Sequence, residues 1–203
     1  MSWNRSWPKY VSVADLKVKS EKKIAKLRKK KKEIYPVQIE SRVICKSIWA
    51  KAWCRHLCTY ADADYRLERG RKYVRCGCVY DLVISDSIVR GLVGGSRAYT
   101  VTVDIAALTG KRRDSIARAC SESVSSLLDL LQGNISPAVM AVVADAEVGL
   151  FPTLADLSMS CTCPDGDAKL CKHIAAVLYG IAVRMDENPT LLFQLRGVDP
   201  STL

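Results

Sequence analysis

Residues 155–180 read ADLSMSCTCPDGDAKLCKHIAAVLYG, and within them positions 161 to 173 hold three of the chain's nine cysteines and one of its two histidines. Cys161 and Cys163 are two apart in a segment that reads as a strand, so their sulfurs point the same way. Pro164, Asp165, Gly166 and Asp167 form a turn that brings the chain back. Cys171 and His173 then arrive at the start of a helix marked by Ile174, Val177, Leu178, Ile181, Ala182 and Met185 at helical spacing. Two residues apart on a continuous helix would face nearly opposite ways, so Cys171 is expected at or just before the first turn. A strand pair and a helix-start pair give three thiolates and one imidazole converging on one point. That is the ligand set of a closed tetrahedral zinc site, with one structural Zn2+ and no position left for water. A redox Cys-x-Cys pair would need neither the returning Cys-x-His nor the helix behind it.

The rest of the chain reads as α+β: an antiparallel β-meander with packed helices and a C-terminal ββα-like zinc finger of pattern CxCx7CxH. A charged helix is expected from Ser12 to Glu33, with Leu16, Ile24 and Leu27 as sparse apolar contacts. Residues 37–44, VQIESRVI, read as a short strand. A helix from Ser47 to about Ala61 carries Trp49, Trp53, His56, Leu57 and Tyr60 on one face, which makes His56 a core or boundary residue. KYVRC, VYDLVI, SIVRGLV and RAYTVTVDI then read as the meander, split by turn signals at Gly77, Ser85-Asp86 and Gly94-Gly95. A helix from about Lys111 to Gln132 has Ile116, Cys120, Val124, Leu127, Leu128 and Leu131 as its apolar stripe. Ser136-Pro137 opens another, ending near Gly149. The organisation expected is a basic arm or helix over 1–35, an α+β domain over 36–150, the finger over 151–185 and an apolar tail over 186–203. The tail, LLFQLRGV, is expected to dock back on the domain.

Charge is unevenly spread. Residues 1–103 hold 23 Lys+Arg against 9 Asp+Glu, net +14, and residues 104–203 hold 8 against 12, net −4. Such a basic half attracts polyanions by counterion release. The run Lys29, Lys30, Lys31, Lys32 is one candidate contact. The stretch YRLERGRKYVR is another: read as a strand, it places Arg71, Tyr73 and Arg75 on one face, with Arg69 nearby, offering guanidinium groups for phosphates and a ring for stacking. A solvated edge is the bland alternative. Cys54 and Cys58, at i and i+4, could form a second metal site with Cys76 and Cys78 if the helix packed on the Gly77 turn, although small buried cysteines are common.

MSWNRSWPKY lacks the apolar core of a secretory leader, and the longest apolar run, Ile174 to Val183, is too short to cross a bilayer. A cytoplasmic protein, nucleoid-associated if it holds DNA, is expected, with no membrane contact and no small-molecule substrate. No glycine loop for phosphates, free histidine base or suggestively spaced carboxylate pair is visible, so the chain reads as a non-enzyme.

The pattern Cys-x-Cys-x7-Cys-x-His, with Pro after the second Cys and IAAVLYG behind it, resembles the SWIM zinc finger. KSIWAKAWCRHL, YRLERGRKYVRCGCVYDL, LLQGNISPAVM, GLFPTLADLSMSCTCPD and NPTLLFQLRGVD are similar to the stand-alone prokaryotic SWIM zinc-finger proteins. That resemblance implies Cys161, Cys163, Cys171 and His173 as metal ligands and a DNA-binding or protein-interaction role. It suggests DNA or RNA as partner, or alternatively a Snf-type DNA-translocating ATPase served by an adaptor.

Overall fold

A computed structural model of the chain describes residues 12–30, 33–41, 43–60, 64–123, 137–145, 149–165 and 170–199. Four strands, β1 (Val79–Ser85), β2 (Ile88–Gly94), β3 (Ala98–Ile105) and β4 (Leu157–Cys161), form one antiparallel sheet in that order. The β1–β2 hairpin closes on Ser85 opposite Ile88, and Asp86 takes the left-handed conformation (φ 50°) that such two-residue turns require. On β3 the alternation is realised: Tyr99, Val101, Val103 and Ile105 are buried, while Thr100 and Asp104 face water. The ββα unit of the finger borrows its first strand, since β4 pairs with β3 of the meander.

Helices α1 (Val13–Lys30), α2 (Ile48–Leu57) and α3 (Asp64–Arg75) precede the sheet. Helices α4 (Gly110–Ser123) and α5 (Pro137–Val143) follow β3, and α6 (Lys172–Glu187) and the one-turn α7 (Leu191–Gln194) end the chain. Twelve of the sixteen residues of α6 are buried, so it has almost no solvent face. A helix apolar nearly all round must be enclosed, and α6 is: α2, α3 and all four strands pack on it. Trp53 and Trp49 of α2 donate their indole N–H groups to the carbonyls of Leu178 and Met185 at 2.9 Å, so both rings pack with their polar atoms satisfied. Ser47 caps α2 by accepting from the Ala50 N–H, and Asp186 of α6 accepts from the Lys46 and Ser47 backbone N–H groups.

Two expected strands are absent. KYVRC, residues 72–76, is the last turn of α3 and the step out of it. Leu67, Gly70 and Val74 are buried at i, i+3 and i+7, a helical spacing, and a Cβ on Gly70 would lie 2.5 Å from the Ala175 Cβ. The α3–α6 contact is therefore a close approach through small residues. The alternation of basic and aromatic residues that suggested a strand is not the pattern that is buried. The described residues of 37–44 bend at 40, 41 and 44 and form no ladder. Only their start runs beside β1: the Val37 N–H donates to the Val79 carbonyl and the Leu82 N–H to that of Tyr35. Arg184 donates to the carbonyls of Tyr35 and Pro36, supplying bonds that a neighbouring strand would otherwise make.

The tail docks. Leu191, Leu192, Phe193, Leu195 and Val198 join the core, and Arg196, 2% exposed, donates to the Ala106 carbonyl at 2.6 Å and meets Asp156 at 3.4 Å. Ile116 of α4 is buried as expected; Val124, Leu127, Leu128, Leu131 and the cap Ser136 lie outside the described residues, as does the Cys120 side chain. Among the described residues no helix is long and apolar enough to cross a membrane.

Candidate metal centre

β4 ends at Cys161, and the chain bends through 162 and 163 while Thr162 stays tied to β3: its N–H donates to the Thr100 carbonyl, and its hydroxyl accepts from the Thr100 N–H. Cys161 thus closes the strand, and Cys163 lies just beyond it in the bend. After Pro164-Asp165 the chain is described again from Leu170, whose carbonyl accepts from Arg66 of α3. Cys171 is the N-cap of α6, in extended conformation (φ −86°, ψ 167°), and its sulfur makes no capping bond. That position resolves the facing problem, because Cys171 lies just outside the helix and His173 on its first turn.

The four ligand atoms lie within 4.8 Å of one another. His173 Nδ1 is 3.8 Å from the Cys161 sulfur and 3.9 Å from the Cys171 sulfur. A tetrahedral site with bonds of ordinary zinc length has ligand–ligand edges of about 3.5–3.8 Å, so the cluster needs little contraction to close. Cys163, Cys171 and His173 are buried and Cys161 half-buried. Burial, aided by Lys172, holds the His173 imidazole down to about 4, which leaves it neutral and able to ligate near pH 7. Burial likewise pushes the Cys161 thiol up to about 12 and raises that of Cys171. Three thiolates gathered here without a cation would be costly, and a bound dication is what makes their deprotonation favourable. The donor set fits such an ion.

Packing fixes the imidazole. Tyr99 lies tilted against it at 4.5 Å between centroids, and Tyr73 of α3 meets it edge-on at 5.5 Å. A Cβ on Gly95 would stand 3.1 Å from Nε2, a buried atom with no hydrogen-bond partner. Tyr73, Gly95 and Tyr99 were not singled out around the histidine by sequence reasoning. They come from other elements, and only the fold brings them there.

Residues 152–179 match the family model described as the SWIM zinc finger. The chain carries a SWIM zinc finger. It is also 37% identical over 135 residues to the uncharacterized protein Rv2102 of Mycobacterium tuberculosis; the match covers 65% of this chain and 48% of that relative. The chain thus spans about half the length of the curated relative it matches. No solved structure matches it.

Outside the SWIM finger, Cys54, Cys58 and Cys78 go to different partners. The Cys54 sulfur lies 3.6 Å from that of Cys45, and Cys58 is 3.4 Å from Arg71 Nη2. Cys78 faces the Ser20 hydroxyl at 3.5 Å and the Cys76 carbonyl at 4.0 Å. Among the described residues the finger holds the one group of three or more clustered metal donors.

The expected nucleic-acid contacts divide. Lys29 and Lys30 are exposed in the last turn of α1, and Lys31 and Lys32 lie outside the described residues. Arg69 and Arg75 are exposed on α3. Arg71 turns inward, donating to the Tyr179 hydroxyl at 2.8 Å, and Tyr73 is half-buried against His173. The expected single face of Arg71, Tyr73 and Arg75 is therefore broken up by the helix. In its place Arg69, Lys72 and Arg75, three apart on α3, join Lys17 of α1 around a groove. Lys17 and Lys72 belong to the basic stretches singled out in the sequence, but the helical period and not the strand period groups them with Arg69 and Arg75.

Proposed function

We propose that the protein is a non-enzymatic zinc-binding accessory factor that holds nucleic acid on the basic face of α1 and α3, with its SWIM finger as a structural centre. Cys161, Cys163, Cys171 and His173 would hold one Zn2+. Three thiolates and a neutral imidazole leave a net charge of −1 and no open coordination position, so the ion supplies folding energy and no Lewis-acid chemistry.

The observation that carries the nucleic-acid reading is the groove between α1 and α3. It has a volume of about 660 Å3 and is lined by Lys17, Arg69, Lys72 and Arg75, with Val13 and Ile39 as apolar lining and Glu40 and Glu68 as its acidic members. α1 adds eight Lys+Arg against two Asp+Glu between Val13 and Lys30. Cationic side chains on two adjoining helices suit a phosphate backbone, which is read by charge and position and not by base identity. A DNA partner would put the protein in the cytoplasm, at the nucleoid.

Fluorescence anisotropy with duplex DNA, single-stranded DNA and RNA, at low and near-physiological salt, tests this. We expect affinity that falls steeply with salt. Replacing Lys17, Arg69, Lys72 and Arg75 by Gln should flatten the log–log salt slope by about 3–4 on duplex DNA. Absence of binding at low salt, or an unchanged slope in the quadruple variant, refutes the assignment.

A second reading, an adaptor for a DNA-translocating ATPase of the Snf type or another DNA-processing protein, is favoured by a different feature. A cleft of about 620 Å3 beside α2 and the end of α6 is lined by Ile39, Val43, Ile44, Trp49, Val183 and Pro189 among others. Val43 and Ile48 in that region are 55% and 48% exposed. If Val43→Asp abolished capture of such a partner while nucleic-acid binding was absent, the adaptor reading would replace the first.

A further inference from the structure

Three thiols outside the finger gather around α2. Cys54 sits in its middle, half-buried, with its sulfur 3.6 Å from the sulfur of Cys45, which lies two residues before the Ser47 cap. Cys58, one turn on, is exposed; its thiol donates to the Cys54 carbonyl and lies against the Arg71 guanidinium. A disulfide needs its sulfurs about 2.05 Å apart. Cys54 is held by its helix, whereas Cys45 lies in the irregular segment before the cap, so the remaining approach falls to the more adjustable partner. The hydrogen bond from Cys54 holds the Cys45 thiol below its ordinary range, with Lys51 and Arg71 nearby assisting.

We propose that Cys45 and Cys54 are a redox-active dithiol, converted by hydrogen peroxide or another small hydroperoxide into an intramolecular disulfide, separate from the zinc ligands. One of the two sulfurs, as thiolate, attacks a peroxide oxygen: an S–O bond forms, the O–O bond breaks, and hydroxide leaves. The other sulfur then attacks the sulfenic acid, forming S–S and breaking S–O, and the hydroxyl departs with that second thiol's proton as water. Two thiols lose two electrons, and peroxide is reduced to two waters once the first hydroxide takes up a proton. Cys58 stays outside the bridge, engaged with Arg71 and with its own helix. The finger's sulfurs are protected in turn by the metal they bind.

The chain makes the test direct, because trypsin separates the three thiols. Cys45 falls in the peptide 43–46, Cys54 in 52–55 and Cys58 in 56–66. Zinc-loaded full-length protein is treated with hydrogen peroxide, its remaining thiols are alkylated under denaturing conditions, and the digest is mapped by mass. We expect 43–46 joined to 52–55, two hydrogens lighter than the separate peptides, with bound zinc unchanged. Cys58→Ser should still form the link and Cys54→Ser should not, each checked for zinc content as a sign of folding. Should Cys54→Ser fail that check, Cys45→Ala serves in its place. The proposal is overturned if 43–46 and 52–55 are recovered unlinked, if Cys54 joins Cys58 instead, or if zinc is lost before the link forms.

Discussion

Helices α1 and α6 are close in length and opposite in use. Of the eighteen residues of α1 only Ser20 and Ile24 are buried, whereas α6 buries twelve of sixteen. α1 carries eight basic side chains; α6 carries the finger's histidine and is enclosed by α2, α3 and the sheet. The SWIM finger is therefore not an appendage on a domain, because its helix is the piece around which the domain packs. The charged helix is the appended element. Stability and charge are thus held by different parts of the chain, and each can be perturbed with little effect on the other.

The sharpest way to break that separation is at the metal. Cys163→Ser or His173→Ala should abolish bound zinc and remove binding energy of the order of 10–16 kcal/mol that finger folding draws on. Because α6 is central, the loss should reach the sheet and α2 and not stop at residue 185. Hydrogen exchange would read this as lost protection in β1–β3. A variant with full zinc content and parental melting would overturn the ligand assignment. Acid should act on the same centre with a definite sign. Burial keeps the metal-free Cys161 and Cys171 thiols protonated at neutral pH, Cys161 titrating only near 12, so metal binding displaces protons and weakens as pH falls. His173, held near 4, joins that competition only at the acid end. Zinc content followed by atomic absorption should be lost by about pH 4; retention below that would count against a thiolate site.

A smaller effect is expected where α3 meets α6. Gly70→Ala drives a methyl into Ala175 and should cost about 1–3 kcal/mol, measured by denaturant unfolding, with zinc content retained. A neutral result would mean that the two helices are less intimate than their spacing here. The smallest effect belongs to α1. Lys26, Lys29 and Lys30 are exposed, and each change to Gln should shift stability by no more than about 0.5 kcal/mol while weakening any polyanion binding. A large loss of stability from these changes would contradict the division between the two helices.

What could be read in the sequence follows the same line. The finger was legible because its information is local: four donors in thirteen positions, a turn between them and an apolar helix behind. β1 to β3 were legible through alternation and turn residues. The reading failed at 72–76, where Arg, Tyr and Val alternate as in a strand although the chain is helical. The deciding fact there is tertiary: Gly70 fits against Ala175, and Leu67 and Val74 are buried beside it. Residues 37–44 carry apolar residues at strand-like spacing, but the chain bends at 40, 41 and 44, and among its described residues only Val37, at its start, bonds to β1. The settings of Tyr73, Tyr99 and Gly95 around His173 could not be read locally, because each arrives from a different element.

The pairing of β4 with β3 bears on the order in which the chain assembles. Ile105 meets Leu157 across a connection of about fifty residues, whereas the four metal donors close within thirteen positions. Closure entropy rises with the logarithm of loop length, so the short closure is the cheaper one. A metal ion captured by the newly emerged finger would pin α6 against the end of β4 early. Such a unit would give the meander an edge to add to and a hydrophobic helix to cover, so the ion would act as a folding nucleus as well as a brace.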